Sequence, residues 1–136
     1  MDNKQQILCA WRRKYVRLTP EEHVRQTILH ALESHYNYPH GLIGVEVPIE
    51  VAGLKKRCDA IIYSQQMQPL KLIEFKAEFV PLTQQVFDQA AIYNRHLHVP
   101  YLMLSNGKDT IIAEVKETTY QFLDHIPEYC MLNIDR

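Results

Sequence analysis

Three consecutive strand-like segments, separated only by short turns, constrain the fold of this chain more than any other feature. They are LIGVEVPIEV (42–51), RCDAIIYS (57–64) and PLKLIEFKA (69–77), and the intervening VAGLKK and QQMQP have turn-like compositions. The first segment alternates apolar and polar residues, whereas the other two are almost continuously apolar, as strands inside a sheet are. The sequence therefore predicts a sheet with the second and third segments in its interior.

A helical segment precedes these strands. Residues 18–36 have a helix-start signature, with Thr19 as a good helix N-cap and Pro20 at the first helical position. The segment has the spacing of an amphipathic helix that ends near NYPHG. The residues that share its predicted inward stripe are Val24, Ile28, Ala31, Leu32 and His35.

A second helical segment, residues 82–98, follows the third strand, and the chain then returns to strands at 100–107 and in a hairpin over 109–123. The tail from residue 124 onward is expected to be irregular or a short helix. This order predicts one α/β domain over 1–136, a mixed sheet flanked by helices. The residues expected on one face of the second helix are Leu82, Val86, Gln89, Ala90, Tyr93 and Leu97.

Composition narrows the class of protein. With 136 residues, 46% of them hydrophobic, the chain is long enough to bury one core, and it has no apolar run of about 18 residues. The N-terminus lacks the apolar stretch of a signal peptide. The three cysteines form no CxxC pair, as expected for a reducing compartment. We therefore expect a cytoplasmic protein with no membrane partner.

Two basic segments stand out against a net charge of −1. WRRKYVR carries four cations and GLKKRCD carries three, and cations of this kind contact nucleic-acid phosphates without regard to sequence. The alternative is that both segments are simply solvated. The candidate phosphate contacts are Arg12, Arg13, Lys14, Lys55, Lys56 and Arg57.

The candidate chemistry lies on the second and third strands. Asp59 precedes AIIY on one strand, and Glu74 and Lys76 project from one face of the next, because alternate residues of a strand share a face. If the strands pair, the two carboxylates and the backbone carbonyl of Phe75 form an oxygen-rich site suited to Mg²⁺ or Mn²⁺, with Lys76 beside it. The alternative is an ordinary ion pair on a solvated face.

Three further polar residues are candidates for the same site. Gln89 and Tyr93 lie four residues apart on the second helix, and from the predicted inward face they would reach a phosphate or a metal-bound water. On the first helix, Glu22 fits a capping box with Thr19. Glu21 falls on the stripe of Val24, so we expect it to have either a cation partner such as Arg25 or a metal.

These motifs together resemble a known family. RRKYVRLTPEEHVRQ, GLKKRCDAIIY, KLIEFKA, FDQAAIYN and VPYLMLSNG look like the nuclease domain at the N-terminus of type I restriction enzyme R subunits, a member of the PD-(D/E)xK superfamily. The resemblance runs from about residue 12 to residue 129. It implies a restriction-endonuclease-like α-β-β-β-α-β core and Mg²⁺-dependent hydrolysis of DNA phosphodiester bonds.

The resemblance also implies roles for individual residues. Asp59 and Glu74 match the metal ligands, Lys76 matches the catalytic lysine, and Gln89 with Tyr93 matches the motif that contacts DNA or supports the active site. Glu21 would correspond to the glutamate of the first helix. Cys58 stands where the superfamily has its namesake proline.

The R subunits also carry an ATP-driven motor, for which 136 residues leave no room. Three hypotheses follow. The first is a metal-dependent DNA endonuclease that acts alone, as a homodimer or with other restriction-modification subunits. The second is an inactive module of the same fold that binds DNA or a partner protein. The third is a structural domain in which Glu74 and Lys76 form only an ion pair.

Overall fold

The computed structural model describes residues 5–132 and contains two helices and eight strands in that range. The helices are α1 (Pro20–Tyr36) and α2 (Gln84–Leu97), with 3₁₀ turns at His40–Leu42 and Tyr129–Met131. The strands are β1 (Gln6–Cys9), β2 (Lys14–Arg17), β3 (Ile43–Val51), β4 (Leu54–Tyr63), β5 (Pro69–Phe75), β6 (Tyr101–Ser105), β7 (Thr110–Val115) and β8 (Tyr120–Leu123).

The main sheet has six strands in the order β3-β4-β5-β6-β7-β8. Every neighbouring pair is antiparallel except β5 and β6, which are parallel because α2 carries the chain across between them. The predicted mixed sheet, the two helices and the terminal hairpin are confirmed, and β4 and β5 lie in the sheet interior as expected. None of the helices in residues 5–132 is long and apolar enough to cross a membrane.

A separate hairpin, formed by β1 and β2, precedes α1 and was not predicted. Its strands have four residues each, and its turn includes Arg13 in the left-handed region at φ 56°. Cys9, at the end of β1, is fully buried, whereas Leu8 and Tyr15 are exposed. The first basic segment is therefore folded against the domain. The tail forms the 3₁₀ turn near residue 130, and its last four residues lie outside the described range.

Helix α1 begins and ends as predicted, but its buried stripe is different. Thr19 caps the first turn by accepting a hydrogen bond from the backbone N–H of Glu22, and Asn37 ends the helix in the left-handed region. Ile28 and Ala31 are only partly buried, and His35 is exposed. The side chains that α1 buries are those of Glu22, Val24, Arg25, Gln26, Leu29 and Leu32. The interior tolerates the charges in this group because they pair with one another.

The two helices cover opposite faces of the sheet. Leu29 and Leu32 of α1 pack with Ile73 in one apolar cluster, whereas Phe87 and Ala90 of α2 belong to a second cluster. Burial of one leucine contributes about 1.5–3 kcal/mol to folding. Adjacent residues of β5 project into different clusters, so its two faces are both covered, as its continuously apolar sequence indicates.

Candidate active site

The side chains of β4 change from one face of the sheet to the other at Asp59. Cys58 packs in the cluster on the α2 side and Ala60 in the cluster on the α1 side, although residues two apart on a regular strand share a face. On the neighbouring strand, Glu46 lies between the ladder partners of these residues and has φ 55°, an uncommon conformation for a residue other than glycine. The irregularity places Asp59 where β4 changes face.

The carboxylate of Asp59 is held between β4 and β5. The ladder between these strands runs from Ala60 opposite Ile73 to Tyr63 opposite Pro69. Just beyond its end, Oδ2 of Asp59 accepts a hydrogen bond from the backbone N–H of Phe75 at 2.8 Å. The side chain of Asp59 is 20% exposed, so one part of the carboxylate remains accessible.

The electrostatic surroundings of Asp59 are unfavourable to its negative charge. Burial, with a smaller contribution from the nearby carboxylates of Glu21 and Glu74, raises the pKa of Asp59 to about 6, although the Phe75 N–H and Arg25 act to lower it. Perturbed carboxyl groups of this kind concentrate at functional sites. A bound cation would relieve the repulsion between the carboxylates.

Glu74 is held by two lysines, one on each carboxylate oxygen. Lys76 Nζ lies 3.3 Å from Oε2, and Lys56 Nζ lies 3.4 Å from Oε1. The Glu74 side chain is 20% exposed and those of the lysines about 30%. The expected pairing of Glu74 with Lys76 is thus present, and it occurs beside Asp59. The pairing alone does not distinguish a structural ion pair from a catalytic pair.

An open groove with a volume of about 470 Å³ runs between β5 and α2 over the side chains of Lys56, Glu74 and Lys76. Gln89 and Tyr93 line it, but not in the way we expected from the helical pattern: Gln89 is exposed, and Tyr93 is half-buried. The face of α2 that enters the core carries Phe87, Ala90 and Asn94. The other residues that line the groove are Ala52, Lys56, Glu74, Lys76, Ile92 and His96.

The two glutamates of α1 have the reverse of their predicted environments. Glu22 is 5% exposed and accepts hydrogen bonds from Arg12 at 2.5 Å and from Arg25 at 2.8 Å. Its pKa is therefore lowered to about 2, because these hydrogen bonds outweigh the effect of burial. The predicted capping-box interaction of its side chain is wrong. Glu21 is exposed instead of inward-facing, yet it lies near enough to act on the pKa of Asp59.

Arg25, which the sequence reasoning did not select for the site, links α1 to Asp59. Its guanidinium is buried, donates to the backbone carbonyl of Asp59 at 3.3 Å and lies 3.9 Å from the carboxylate of Asp59. It also bonds Glu46 at 3.2 Å. A signal was available, since Arg25 precedes Leu29 and Leu32 at helical spacing and so falls on the buried stripe.

The basic candidates divide into three groups. Arg12 is directed at Glu22 and also bonds Cys9 Sγ at 3.2 Å, so it holds the hairpin to α1. Lys56 lines the groove. The remaining four are exposed and available to solvent: Arg13, Lys14, Lys55 and Arg57.

The donor set fits a small hard cation. Within residues 5–132 no three His, Cys, Asp or Glu side chains cluster closely enough to enclose a metal ion. Two adjacent carboxylates, Asp59 and Glu74, are nevertheless what Mg²⁺ commonly uses, because it keeps several of its waters. The Phe75 carbonyl and Glu21 remain candidates for further oxygen donors.

Comparison with known proteins places the chain in a family. The model of the type I restriction enzyme R protein N terminus matches residues 20–127. A solved fragment of a protein described as an HsdR subunit of a type I restriction enzyme from Vibrio vulnificus has a similar fold, with a TM-score of 0.64 and 21% sequence identity over 85% of this chain. The chain spans 24% of that structure. No curated protein sequence matches.

Proposed function

The chain belongs to the family of type I restriction enzyme R protein N-terminal domains, and from this premise we propose that it is a Mg²⁺-dependent DNA endonuclease with a restriction-endonuclease-like, PD-(D/E)xK core. The observation that carries the proposal is the proximity of Asp59 to Glu74, which lines the groove together with Lys76. Asp59 lies beside Glu74, and Lys76 contacts Glu74 at 3.3 Å. The ion pair of Glu74 and Lys76, if only structural, needs no second carboxylate with a raised pKa beside it.

Each residue has a distinct task in this proposal. Asp59 and Glu74 would hold one Mg²⁺, with the Phe75 carbonyl and Glu21 as further candidate ligands. The ion would supply positive charge against the phosphate and make a nearby water easier to ionise. Lys76 donates a hydrogen bond to the attacking water or to the phosphate, since its ammonium has no acceptor lone pair until it loses a proton. From α2, Gln89 and Tyr93 orient the DNA backbone in the groove.

The proposed partners follow from the charge distribution and the family. DNA would contact the exposed cations Arg13, Lys14, Lys55 and Arg57 outside the groove. With a net charge of −1, the domain has little long-range attraction for DNA. Other restriction-modification subunits, or a second copy of the chain, would then bring the DNA to it.

A second candidate function is an inactive module of the same fold that binds DNA or a partner. One observation favours it: both carboxylate oxygens of Glu74 already have ammonium partners, Lys56 and Lys76. In such a module DNA binding is salt-dependent and needs no metal. Titration of DNA binding with and without Mg²⁺ separates the two functions.

The direct experiment is cleavage of single- and double-stranded DNA in Mg²⁺ or Mn²⁺. We expect Glu74→Ala and Lys76→Ala to lose activity by about 100-fold or more, because each removes a group that acts on the reacting atoms. Glu78→Ala is the matched control, since Glu78 is an exposed glutamate shortly after Lys76. A wild-type protein that cuts neither substrate in either metal contradicts the proposal.

A further inference from the structure

Lys56 occupies a position that its neighbours in the basic segment do not share. Lys55 and Arg57 are exposed, whereas the Lys56 ammonium lies 3.6 Å from the centroid of the Tyr93 ring and 3.4 Å from Glu74 Oε1. The stem of Lys56 therefore crosses from β4 to α2 over the groove. A lysine between an aromatic face and a carboxylate is held by two attractions, one of them cation–π.

The contact with Glu74 has a consequence for metal binding. A metal ion and the Lys56 ammonium are both positive, and both would bind the carboxylate oxygens of Glu74. Binding of the ion to Glu74 would weaken the ion pair between Glu74 and Lys56, because two cations on one carboxylate repel each other. The flexible four-carbon stem of lysine then allows the ammonium to move along the groove.

We propose that Lys56 is a switching residue of the site, which pairs with Glu74 in the absence of metal and transfers its ammonium to a DNA phosphate when metal takes Glu74. The inference rests on the proposed function and deepens it. Tyr93 serves as the pivot, since its ring faces the lysine and lines the same groove. The site thus binds its substrate phosphate strongly only after the metal is in place.

The first test is calorimetric titration of Mn²⁺ into the whole chain. Lys56→Met and Lys56→Gln should bind Mn²⁺ about two- to fivefold more tightly than the wild type, the size of effect that a partly exposed ion pair gives when it no longer competes. Lys55→Met is the matched control, because it removes the adjacent exposed charge and should leave the affinity unchanged. Thermal melting checks that each variant is folded.

The second test measures affinity for a short DNA oligonucleotide by fluorescence anisotropy. A Lys76→Met background prevents cleavage during the measurement. Adding Lys56→Met should weaken binding about fivefold or more in Mn²⁺ and less than about twofold in its absence, because without metal the ammonium already belongs to Glu74. Adding Lys55→Met should weaken binding by the same factor in both conditions.

The outcomes separate this inference from the proposed function. If wild-type protein binds Mn²⁺ and Asp59→Asn does not, while Lys56→Met changes neither the metal affinity nor the metal dependence of DNA binding, the switching role is overturned and the nuclease proposal stands. If Mn²⁺ binding to the wild type does not depend on Asp59, both are overturned. Tighter Mn²⁺ binding by both Lys56 variants, together with a metal-dependent loss of DNA affinity, supports the switch.

Discussion

The carboxylate of Asp59 accepts a hydrogen bond from the backbone N–H of Phe75, with the two atoms 2.8 Å apart. This bond ties the aspartate of β4 to the strand that carries Glu74 and Lys76. It also satisfies a backbone donor at the point where the ladder between the strands ends. The carboxylate of Asp59 thus stabilises the strand pair through this hydrogen bond, whereas its buried negative charge destabilises the folded state. A substitution that removes only the charge separates the two effects.

Asp59→Asn should raise stability relative to the wild type at neutral pH. The amide oxygen still accepts the Phe75 N–H, whereas the charge is gone. Because the folded-state pKa of Asp59 is raised to about 6 from 3.8, its ionisation costs the wild type roughly 2–3 kcal/mol as pH rises from about 4 through 6. Urea unfolding at pH 4 and pH 7.5 measures the difference, and an advantage of Asp59→Asn that is equal at both pH values contradicts the account.

Glu22→Gln should destabilise the domain by about 3 kcal/mol, because it removes the carboxylate nearest to the buried guanidinium of Arg25, at 2.8 Å. The folded-state pKa of Glu22 is lowered to about 2, so the wild type has this stability above about pH 4.5 and loses it as pH falls towards 2. The deficit of Glu22→Gln in urea unfolding should therefore shrink in acid.

The matched control for that prediction is Glu21→Gln. Glu21 is adjacent in sequence but exposed, and we expect a change within about 0.5 kcal/mol. Equal effects of the two substitutions would mean that the burial of Glu22 has no energetic consequence.

Lys71→Met should stabilise the domain, and more so at pH 6 than at pH 9.5. Lys71 is fully buried on β5, where its ammonium bonds the hydroxyl of Tyr38, and burial lowers its pKa to about 7. The folded state disfavours the charged form, so the wild type loses stability as pH falls from about 10.5 to about 7. Chemical unfolding across this pH range measures the difference in the free energy of unfolding between Lys71→Met and the wild type. A stabilisation by Lys71→Met that does not depend on pH would show that packing alone is responsible.

Much of the fold could be predicted because its signals are local. The N-cap at Thr19, the helical periodicities and the short turns between strands act within a few residues, and each element they predicted is present. The hairpin of β1 and β2 was missed for a physical reason. Its strands have four residues each and little alternation, and the buried Cys9 at the end of β1 bonds Gln26 of α1, which is distant in the sequence.

The site was predicted less completely, because side-chain pairing there is long-range. Glu21 and Glu22 are neighbours on the helix, and the periodicity could not tell which of them turns inward. Glu22 is buried since Arg12 reaches it from the hairpin and Arg25 from the next turn. Likewise, Lys56 looked like part of a basic surface, and only the packing of Tyr93 over β4 brings it into the groove.

The central claim, a metal site formed by Asp59 and Glu74, is tested most directly by a crystal soaked in Mn²⁺ and measured at a wavelength where manganese scatters anomalously. The account predicts one anomalous peak within about 2.5 Å of a carboxylate oxygen of each residue, with the Lys56 ammonium moved away from Glu74. No peak between the two carboxylates, with Glu74 still paired to both lysines, would contradict it.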